Sequence, residues 1–321
     1  MPWKEMSPVD QRVEFIQARL SGRYASMAEL CRAFSVSRKT GYKWWKRFEE
    51  GGLSGLADRS RSSHEHPNRT DPTMVAMVVA ARKKHPTWGP KKLHAWLRGK
   101  GYAPPARSTI GAILRRAGLA HPKRRGARTA EYADGLSAQD RPNAVWSADF
   151  KGWFKLGSGQ KCYPLTITDG FSRYPIRCDA LEHPDAMASR EVFESAFAEF
   201  GLPEVLRTDN GTPFSGRHGI SALSVWWVKL GIKPERIRRG KPTENGRHER
   251  MHRTLKADAI GQRPASSTRS QQLVFDEFRA EFNDERPHEA LDMKTPRDIY
   301  EPSARRYDGE LRSPSYDRTG P

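Results

Sequence analysis

The sequence is poor in cysteine and in long apolar segments. Its three cysteines, Cys31, Cys162 and Cys178, are scattered and form no CxxC pair, which argues against a disulfide-built fold and a cysteine zinc site. It contains no apolar run of about 18 residues and begins without a signal-peptide pattern, so no membrane partner is predicted. We expect a protein of a reducing compartment, most simply the cytoplasm.

Acidic residues are scarce in one part of the chain only. The 321 residues include 56 Lys or Arg and 38 Asp or Glu, for a formal net charge of +18. Residues 1–130 carry 27 basic and 9 acidic residues, whereas residues 131–321 carry 29 of each. Because basic side chains that meet phosphates release condensed counterions, this basic segment with interleaved Trp and Tyr favours nucleic-acid binding.

Residues 1–56 have the pattern of a helix-turn-helix domain. Apolar residues at helical spacing predict a first helix that stops at Gly22, and Ser26 is placed to cap a short second helix. The third helix, RKTGYKWWKRFEE, would turn Trp44, Trp45 and Phe48 partly into the core. Its predicted DNA-binding residues are Arg38, Lys39, Thr40, Tyr42, Lys43, Lys46 and Arg47.

A second three-helix pattern occupies residues 71–121. It opens at Asp71-Pro72 and has plausible helix stops at Gly101 and Gly118. Its predicted DNA-binding residues are Ser108, Thr109, Arg115 and Arg116. Two connectors flank this second module: residues 57–70 read as a linker, and residues 122–140 as a basic linker. The basic linker contains Lys123, Arg124 and Arg125, and either a flexible or a phosphate-tracking role fits its composition.

The composition changes to a mixed pattern over residues 141–262. Three consecutive strands, a helix carrying Met187 on its apolar side, a strand, a helix, a strand and a long helix from about residue 244 to 259 are predicted. This is the element order of a ribonuclease H-like α/β fold, here following an all-α tandem helix-turn-helix region in a multidomain chain. Residues 263–300 read as a helical extension, and residues 301–321 as a flexible tail.

Three acidic residues occupy unusual positions in the mixed segment. Asp149 lies within the first strand, Asp209 at the end of the fourth, and Glu249 inside the long helix. Neighbouring first and fourth strands would bring the aspartates together, and the helix would add the glutamate. Such a cluster repels itself unless cations separate the carboxylates, and oxygen donors suit Mg²⁺ or Mn²⁺. Two such ions would support phosphodiester cleavage, or strand transfer if a DNA 3′-hydroxyl replaces water.

Four sequence segments carry a family resemblance. NAVWSADFKG, ITDGFSRYP, RTDNGTPF and GKPTENGRHERMHRTLK resemble motifs of the integrase-type DDE transposases of bacterial insertion sequences, relatives of retroviral integrases. The resemblance implies that Asp149, Asp209 and Glu249 are the catalytic residues and ligands of two Mg²⁺ ions, with Mn²⁺ as substitute. Retroviral integrases also carry a His/His/Cys/Cys zinc module, but Cys31 stands alone here, so no zinc is expected.

Two other acids compete with this assignment. Glu244 precedes Glu249 by five residues, and spacing alone could prefer it; Glu249 is favoured because the glutamate of the family lies within the helix. Asp169, in ITDGFSRY, is expected to end the second strand and shape its turn.

Basic residues around the long helix are predicted to hold DNA phosphates. These are Arg238, Arg239, Lys241, Arg247, Arg250, Arg253 and Lys256. A solvated helix face would look similar. His248 and His252 are expected to be surface or DNA-contacting residues.

The leading hypothesis is a transposase that binds the terminal inverted repeats of its element and joins them to double-stranded target DNA. Holding two ends together implies a homo-oligomer, at least a dimer on DNA. The alternatives are a DNA-binding regulator with an inactive core, and a nuclease without strand-transfer activity.

Overall fold

The computed structural model describes residues 7–60, 69–120, 135–216, 220–238, 240–261 and 264–311. Two compact units, Met1–Arg69 and Thr70–Pro321, make up the chain. Lys123, Arg124, Arg125, Arg239 and residues 312–321 fall outside the described residues. Within the described part, no helix is both long and apolar enough to cross a bilayer.

The first unit contains a bundle of three helices. They are α1 (Pro8–Leu20), α2 (Met27–Ala33) and α3 (Arg38–Gly51). The hydroxyls of Ser26 and Ser37 accept hydrogen bonds from backbone N–H groups in the first turns of α2 and α3, which fixes where these helices begin. Phe15, Ile16 and Leu30 fill the core. Trp44, Trp45 and Phe48 pack against it half-buried, as predicted.

The second unit begins with another three-helix module. Its helices are α4 (Pro72–Lys84), α5 (Pro90–Gly99) and α6 (Arg107–Arg116). Asp71 caps α4, and Gly101 and Gly118 adopt positive φ after α5 and α6, as helix-stopping glycines do. Trp88 and Ile110 are fully buried in its core.

A mixed α/β core follows in the same unit. Its strands are β1 (Val145–Phe150), β2 (Phe154–Lys155), β3 (Lys161–Asp169), β4 (Pro175–Leu181), β5 (Val205–Thr208) and β6 (Lys233–Arg236). Its helices are α7 (Ala186–Phe200), α8 (Ala222–Lys229), α9 (Gly246–Leu255) and α10 (Thr268–Ala280). The predicted first strand is divided in two, because strand structure stops at Phe150 and resumes at Phe154.

The strand pairing matches the predicted ribonuclease H-like element order. β3 pairs antiparallel with β1 and β4, β5 pairs parallel with β1, and β6 pairs parallel with β5. Helices cover both faces of this sheet. On one face, Trp146, Phe193 and Trp227 join β1 to α7 and α8; on the other, Leu255 and Phe275 belong to the cluster formed with α9 and α10.

Two details of the core correct the sequence analysis. Met187 is 76% exposed and does not belong to the apolar side of α7. Residues 303–307 contact the core, because Arg305 donates to the carbonyls of Pro203 and Gly231 and Tyr307 packs against the core. Polar composition predicted a flexible tail, but Arg305 has carbonyl acceptors on the core surface.

Candidate active site and nucleic-acid-binding surfaces

Asp149 and Asp209 emerge from neighbouring strands. β1 and β5 are parallel, and Ala148 lies opposite Thr208 in their register. The next residue along the chain is Asp149 after Ala148 and Asp209 after Thr208, so the two aspartates are neighbours. Ala148 faces the core shared with α7, and side chains alternate along a strand, so Asp149 faces the side covered by α9. The predicted pairing of these strands is therefore confirmed.

The loop after β5 gives the Asp209 carboxylate room. The Gly211 N–H donates to Asp209 Oδ1 over 3.0 Å, and the Asn210 side chain donates to the carbonyl of Ile237 over 2.7 Å. A Cβ at residue 211 would lie 3.0 Å from Asp209 Oδ2, tighter than ordinary van der Waals contact. Glycine at this position therefore lets the backbone approach the carboxylate closely.

Glu249 completes the acidic cluster from the first turn of α9. It is exposed, and with Asp149 and Asp209 it lines a pocket of about 320 Å³. Burial raises the pKa of Asp149 to about 7, and the charges of Asp209 and Glu249 add to this effect. The structure thus brings together the three acids that the sequence analysis singled out, and their mutual repulsion favours a cation among them.

The two competing acids have other partners. Glu244 accepts hydrogen bonds from the backbone and side chain of Arg238, at 2.7 and 2.5 Å, which lower its pKa; it does not line the acidic pocket. Asp169 ends β3, where it accepts from Ser172 and from the Asn143 backbone. These contacts agree with the expected turn role of Asp169.

The prediction that His248 and His252 are surface residues is wrong, since they are only 1% and 4% exposed. Both Nε2 atoms lie within 2.8 Å of Thr166 Oγ1, which itself donates to the Asp149 carbonyl over 3.0 Å. Thr168 Oγ1 lies 2.7 Å from His248 Nδ1. Four polar side chains, from Thr166 and Thr168 on β3 and from His248 and His252 on α9, are thereby joined in one network.

The hydrogen-bond roles of the two histidines depend on the Thr166 hydroxyl. When this hydroxyl donates to the Asp149 carbonyl, both histidines donate to Thr166 Oγ1 through Nε2, and His248 Nδ1 then accepts from Thr168. Burial lowers the pKa of His248 to about 3 and also lowers that of His252, so both are neutral. His252 Nδ1 remains 3.8 Å from Asp149 Oδ2, too far for a hydrogen bond.

This network contacts Asp149 at its backbone and lies beside its carboxylate. Asp149, His248 and His252 form a group of potential metal ligands within the described residues, with ligand atoms within 4.8 Å of one another. Three of the four imidazole nitrogens already have hydrogen-bond partners. The i, i+4 spacing of the histidines was a sequence signal that they share a helix face.

The basic residues of the core fall into two groups. Arg250, Arg253, Lys256 and Lys241 are exposed to solvent. Arg247 instead donates to the carbonyls of Gly170 and Gln139, and Arg238 is bound to Glu244. The second group therefore also holds the loops around the acids, and Arg239 lies outside the described residues.

Helix α3 presents most of its predicted DNA-binding residues to solvent. Arg38, Lys39, Tyr42, Lys43 and Lys46 are exposed, and Thr40 is half-buried beside Ser37. Arg47 is partly engaged, because it donates to the Ala57 carbonyl and lies 4.7 Å from the centre of the Trp44 ring.

In the second module, helix α6 exposes Ser108, Arg115 and Arg116, whereas Thr109 is half-buried. Arg107, at the first residue of this helix, is exposed as well and was not among the predicted residues.

Family comparisons divide the chain in the same order. Residues 11–64 match a helix-turn-helix domain, and residues 40–114 match a homeodomain-like domain. Residues 139–242 and 230–296 match two families that are both described as integrase core domains.

Relatives of the chain come from mobile elements and retroviruses. The 31.7 kDa protein of insertion element IS407 from Burkholderia multivorans is 25% identical over 245 residues, covering 76% of this chain and 86% of that protein. The 39.2 kDa protein of insertion element IS476 from Xanthomonas euvesicatoria is 28% identical over 238 residues, covering 73% and 67%. A Pol polyprotein of Feline endogenous virus ECE1 is 31% identical over 118 residues, which cover 36% of this chain and 11% of the polyprotein.

Two retroviral proteins are among the solved structures to which this chain is similar. The HTLV-2 integrase catalytic core domain, solved in complex with magnesium, is 17% identical and covers 50% of this chain and 98% of that chain, with a TM-score of 0.40. A chain of the simian T-cell lymphotropic virus intasome is 17% identical and covers 76% of this chain and 80% of that chain, with a TM-score of 0.43.

Proposed function

We propose, from the premise that this chain is an integrase-type transposase of insertion sequences related to retroviral integrases, that it cleaves the ends of its element and joins them to target DNA with the help of Mg²⁺. The family places the chain in DNA integration or transposition in general. The proposal adds the reaction, the metal and the residues.

The observation that carries the proposal is the convergence of Asp149, Asp209 and Glu249 on one pocket. These acids lie far apart along the chain and come from two strands and a helix. Burial, and then the charges of Asp209 and Glu249, raise the pKa of Asp149, so these three carboxylates are costly to fold together without a cation.

The residues present fit Mg²⁺ or Mn²⁺. The acidic side chains of the pocket offer oxygen atoms only, the donors that these hard cations prefer. Asp149, Asp209 and Glu249 would hold them. When bound, two such ions stabilise negative charge on the attacking and departing oxygens of a phosphodiester.

The surrounding residues keep the three acids in place. The Thr166 hydroxyl donates to the backbone carbonyl of Asp149, and the buried His248 and His252 are hydrogen-bonded to the same hydroxyl. The backbone of Gly211 approaches the Asp209 carboxylate closely and so holds its position. Exposed Arg250, placed one residue after Glu249, can bind a phosphate of the reacting strand.

The two helical modules supply DNA recognition in this proposal. Exposed basic residues of α3 and α6 would contact the terminal inverted repeats, with the front of each helix toward base edges and later residues toward phosphates. Because transposition requires two ends to be held together, the active species is a homo-oligomer on DNA, at least a dimer.

A strand-transfer assay tests the proposal. Labelled duplexes from the DNA that flanks the gene are incubated with the protein, Mg²⁺ and a supercoiled target plasmid. Joined products are expected with the wild-type chain. The Asp149→Asn variant should lose at least about 10²-fold in rate while still binding DNA.

The matched control is Glu191→Gln, which neutralises an exposed acid on α7 and should join DNA at the wild-type rate. Nicking without joining would identify a nuclease instead. Specific DNA binding without either product, in the presence of Mg²⁺ or Mn²⁺, would identify a regulator and refute the proposal.

A further inference from the structure

A second and larger cavity adjoins the acidic pocket. Its volume is about 710 Å³, and Arg238 and Lys241 line both cavities. Lys92 on α5, Arg173 in the turn after β3 and Arg286 after α10 contribute to its wall. The cavity thus lies where the second helical module, the sheet and the C-terminal extension meet within one compact unit.

Fixed contacts hold the second module at this place. His85 Nδ1 lies 2.9 Å from Glu281 Oε1, and Lys91 lies 2.8 Å from Glu289. Both pairs join the module, whose Lys92 lines the cavity, to the C-terminal extension. Lys92 is therefore directed into the cavity by a docked helix.

Positive charges crowd inside the cavity. Burial and the nearby Arg286 lower the pKa of Lys92 to about 7, while Glu289 and Asp258 act in the opposite direction. Burial lowers the pKa of Arg173 to about 10, with added repulsion from Arg247 and Arg250. His288, whose pKa burial lowers to about 3, lies close to Lys92, Arg286 and Arg173.

Carboxylates offset only part of this charge. In the cavity wall, Asp169 is bound to its own turn, Glu244 to Arg238 and Glu289 to Lys91, and Arg286 pairs with Asp258. Among the described residues, Arg173 Nε and His288 Nε2 are buried without a hydrogen-bond partner. Unpaired buried polar atoms beside like charges are costly, and an anion that accepts hydrogen bonds relieves both costs.

We propose that this cavity binds backbone phosphate of the DNA strand that continues from the acidic pocket, with Lys92 and Arg173 as its main anion ligands. The inference rests on the proposed function. Because the two cavities share a wall, one DNA strand that enters the acidic pocket would also pass the larger cavity. It also gives the second module a role next to the acidic pocket, because Lys92 of this module would hold the DNA strand there.

Binding in EDTA tests this inference without any strand chemistry. The full-length protein is titrated onto a fluorescein-labelled duplex, and anisotropy is measured over a range of salt concentrations. Lys92→Gln and Arg173→Gln are each expected to weaken binding at least about fivefold and to reduce the log–log salt slope by about 0.9 per lost phosphate contact.

Matched controls distinguish the effect of losing a charge in the cavity from the effect of losing a positive charge elsewhere on the protein. Lys233→Gln and Arg269→Gln remove the same charges from exposed positions on β6 and α10 that line neither cavity, and both should bind like the wild type. Arg173→Lys keeps the charge and should retain most of the affinity. Equal losses in Arg173→Lys and Arg173→Gln would point to packing and overturn the inference.

Two further results would contradict the inference. If Lys92→Gln and Arg173→Gln bind the duplex with wild-type affinity and salt slope, the cavity does not hold DNA. If they lose binding of inorganic phosphate, measured by calorimetry, but keep their DNA affinity, the cavity is a site for small anions only. A chain that joins no DNA yet shows the expected losses refutes the proposed function and leaves this inference standing.

Discussion

Asp149 is predicted to weaken the metal-free fold at neutral and alkaline pH. Its side chain is 19% exposed, and its pKa rises from 3.8 to about 7 because of burial and the nearby Asp209 and Glu249. At about 1.36 kcal/mol per pKa unit, this rise corresponds to about 4 kcal/mol. Part of it is shared with the two neighbouring acids, so about 2–4 kcal/mol is expected for Asp149 alone.

The sign of the effect follows from proton binding. Between pH 4 and pH 7 the folded protein holds a proton on Asp149 that the unfolded chain has released, so stability falls as the pH rises through this window. The Asp149→Asn variant lacks the ionisation. It should match the wild type near pH 4 and be more stable by about 2–4 kcal/mol at pH 8 in EDTA.

Urea unfolding followed by tryptophan fluorescence measures this difference, because Trp146 and Trp227 are buried in the same core. Glu191→Gln is the control and should unfold like the wild type at both pH values. Equal stability of the wild type and Asp149→Asn at pH 8 would refute the reasoning, since it would mean that the Asp149 charge meets no unfavourable surroundings in the folded protein.

Three further predictions follow from the contacts described above. Thr166→Val should destabilise the core by about 3 kcal/mol in urea unfolding, because two histidine N–H groups and a carbonyl lose their partner; a loss below about 0.5 kcal/mol would contradict the network. Glu249→Gln should abolish strand transfer, whereas Glu244→Gln should mainly lower stability by freeing Arg238; the reverse pattern in parallel joining and unfolding assays would exchange their roles. Arg38→Ala should reduce the salt slope of end binding by about 0.9 in anisotropy titrations, and an unchanged slope would remove this exposed residue from the interface.

Local signals in the sequence predicted much of the fold. Ser26 and Asp71 cap the first turns of helices, and Gly101 stops a helix at positive φ. Asp149 stood out because a strand core offers a carboxylate no packing partner. These features depend on residues a few positions apart, so the sequence alone could reveal them.

Features that depend on distant residues escaped the sequence analysis. His248 and His252 looked like surface residues of a basic helix, because the hydroxyl that satisfies both of them belongs to Thr166 on another element. Lys92 and Arg173 are 81 positions apart, and nothing local indicates that they line one cavity. Polar composition suggested a flexible tail, whereas Arg305 has carbonyl acceptors on the core.

The position of Mn²⁺ in crystals of the protein, located by anomalous diffraction, tests the central claim most directly. The account predicts anomalous peaks within reach of the Asp149, Asp209 and Glu249 carboxylates, and loss of these peaks in the Asp149→Asn variant. Peaks bound by Glu244 in place of Glu249, or no peak at this pocket at saturating Mn²⁺, would contradict it.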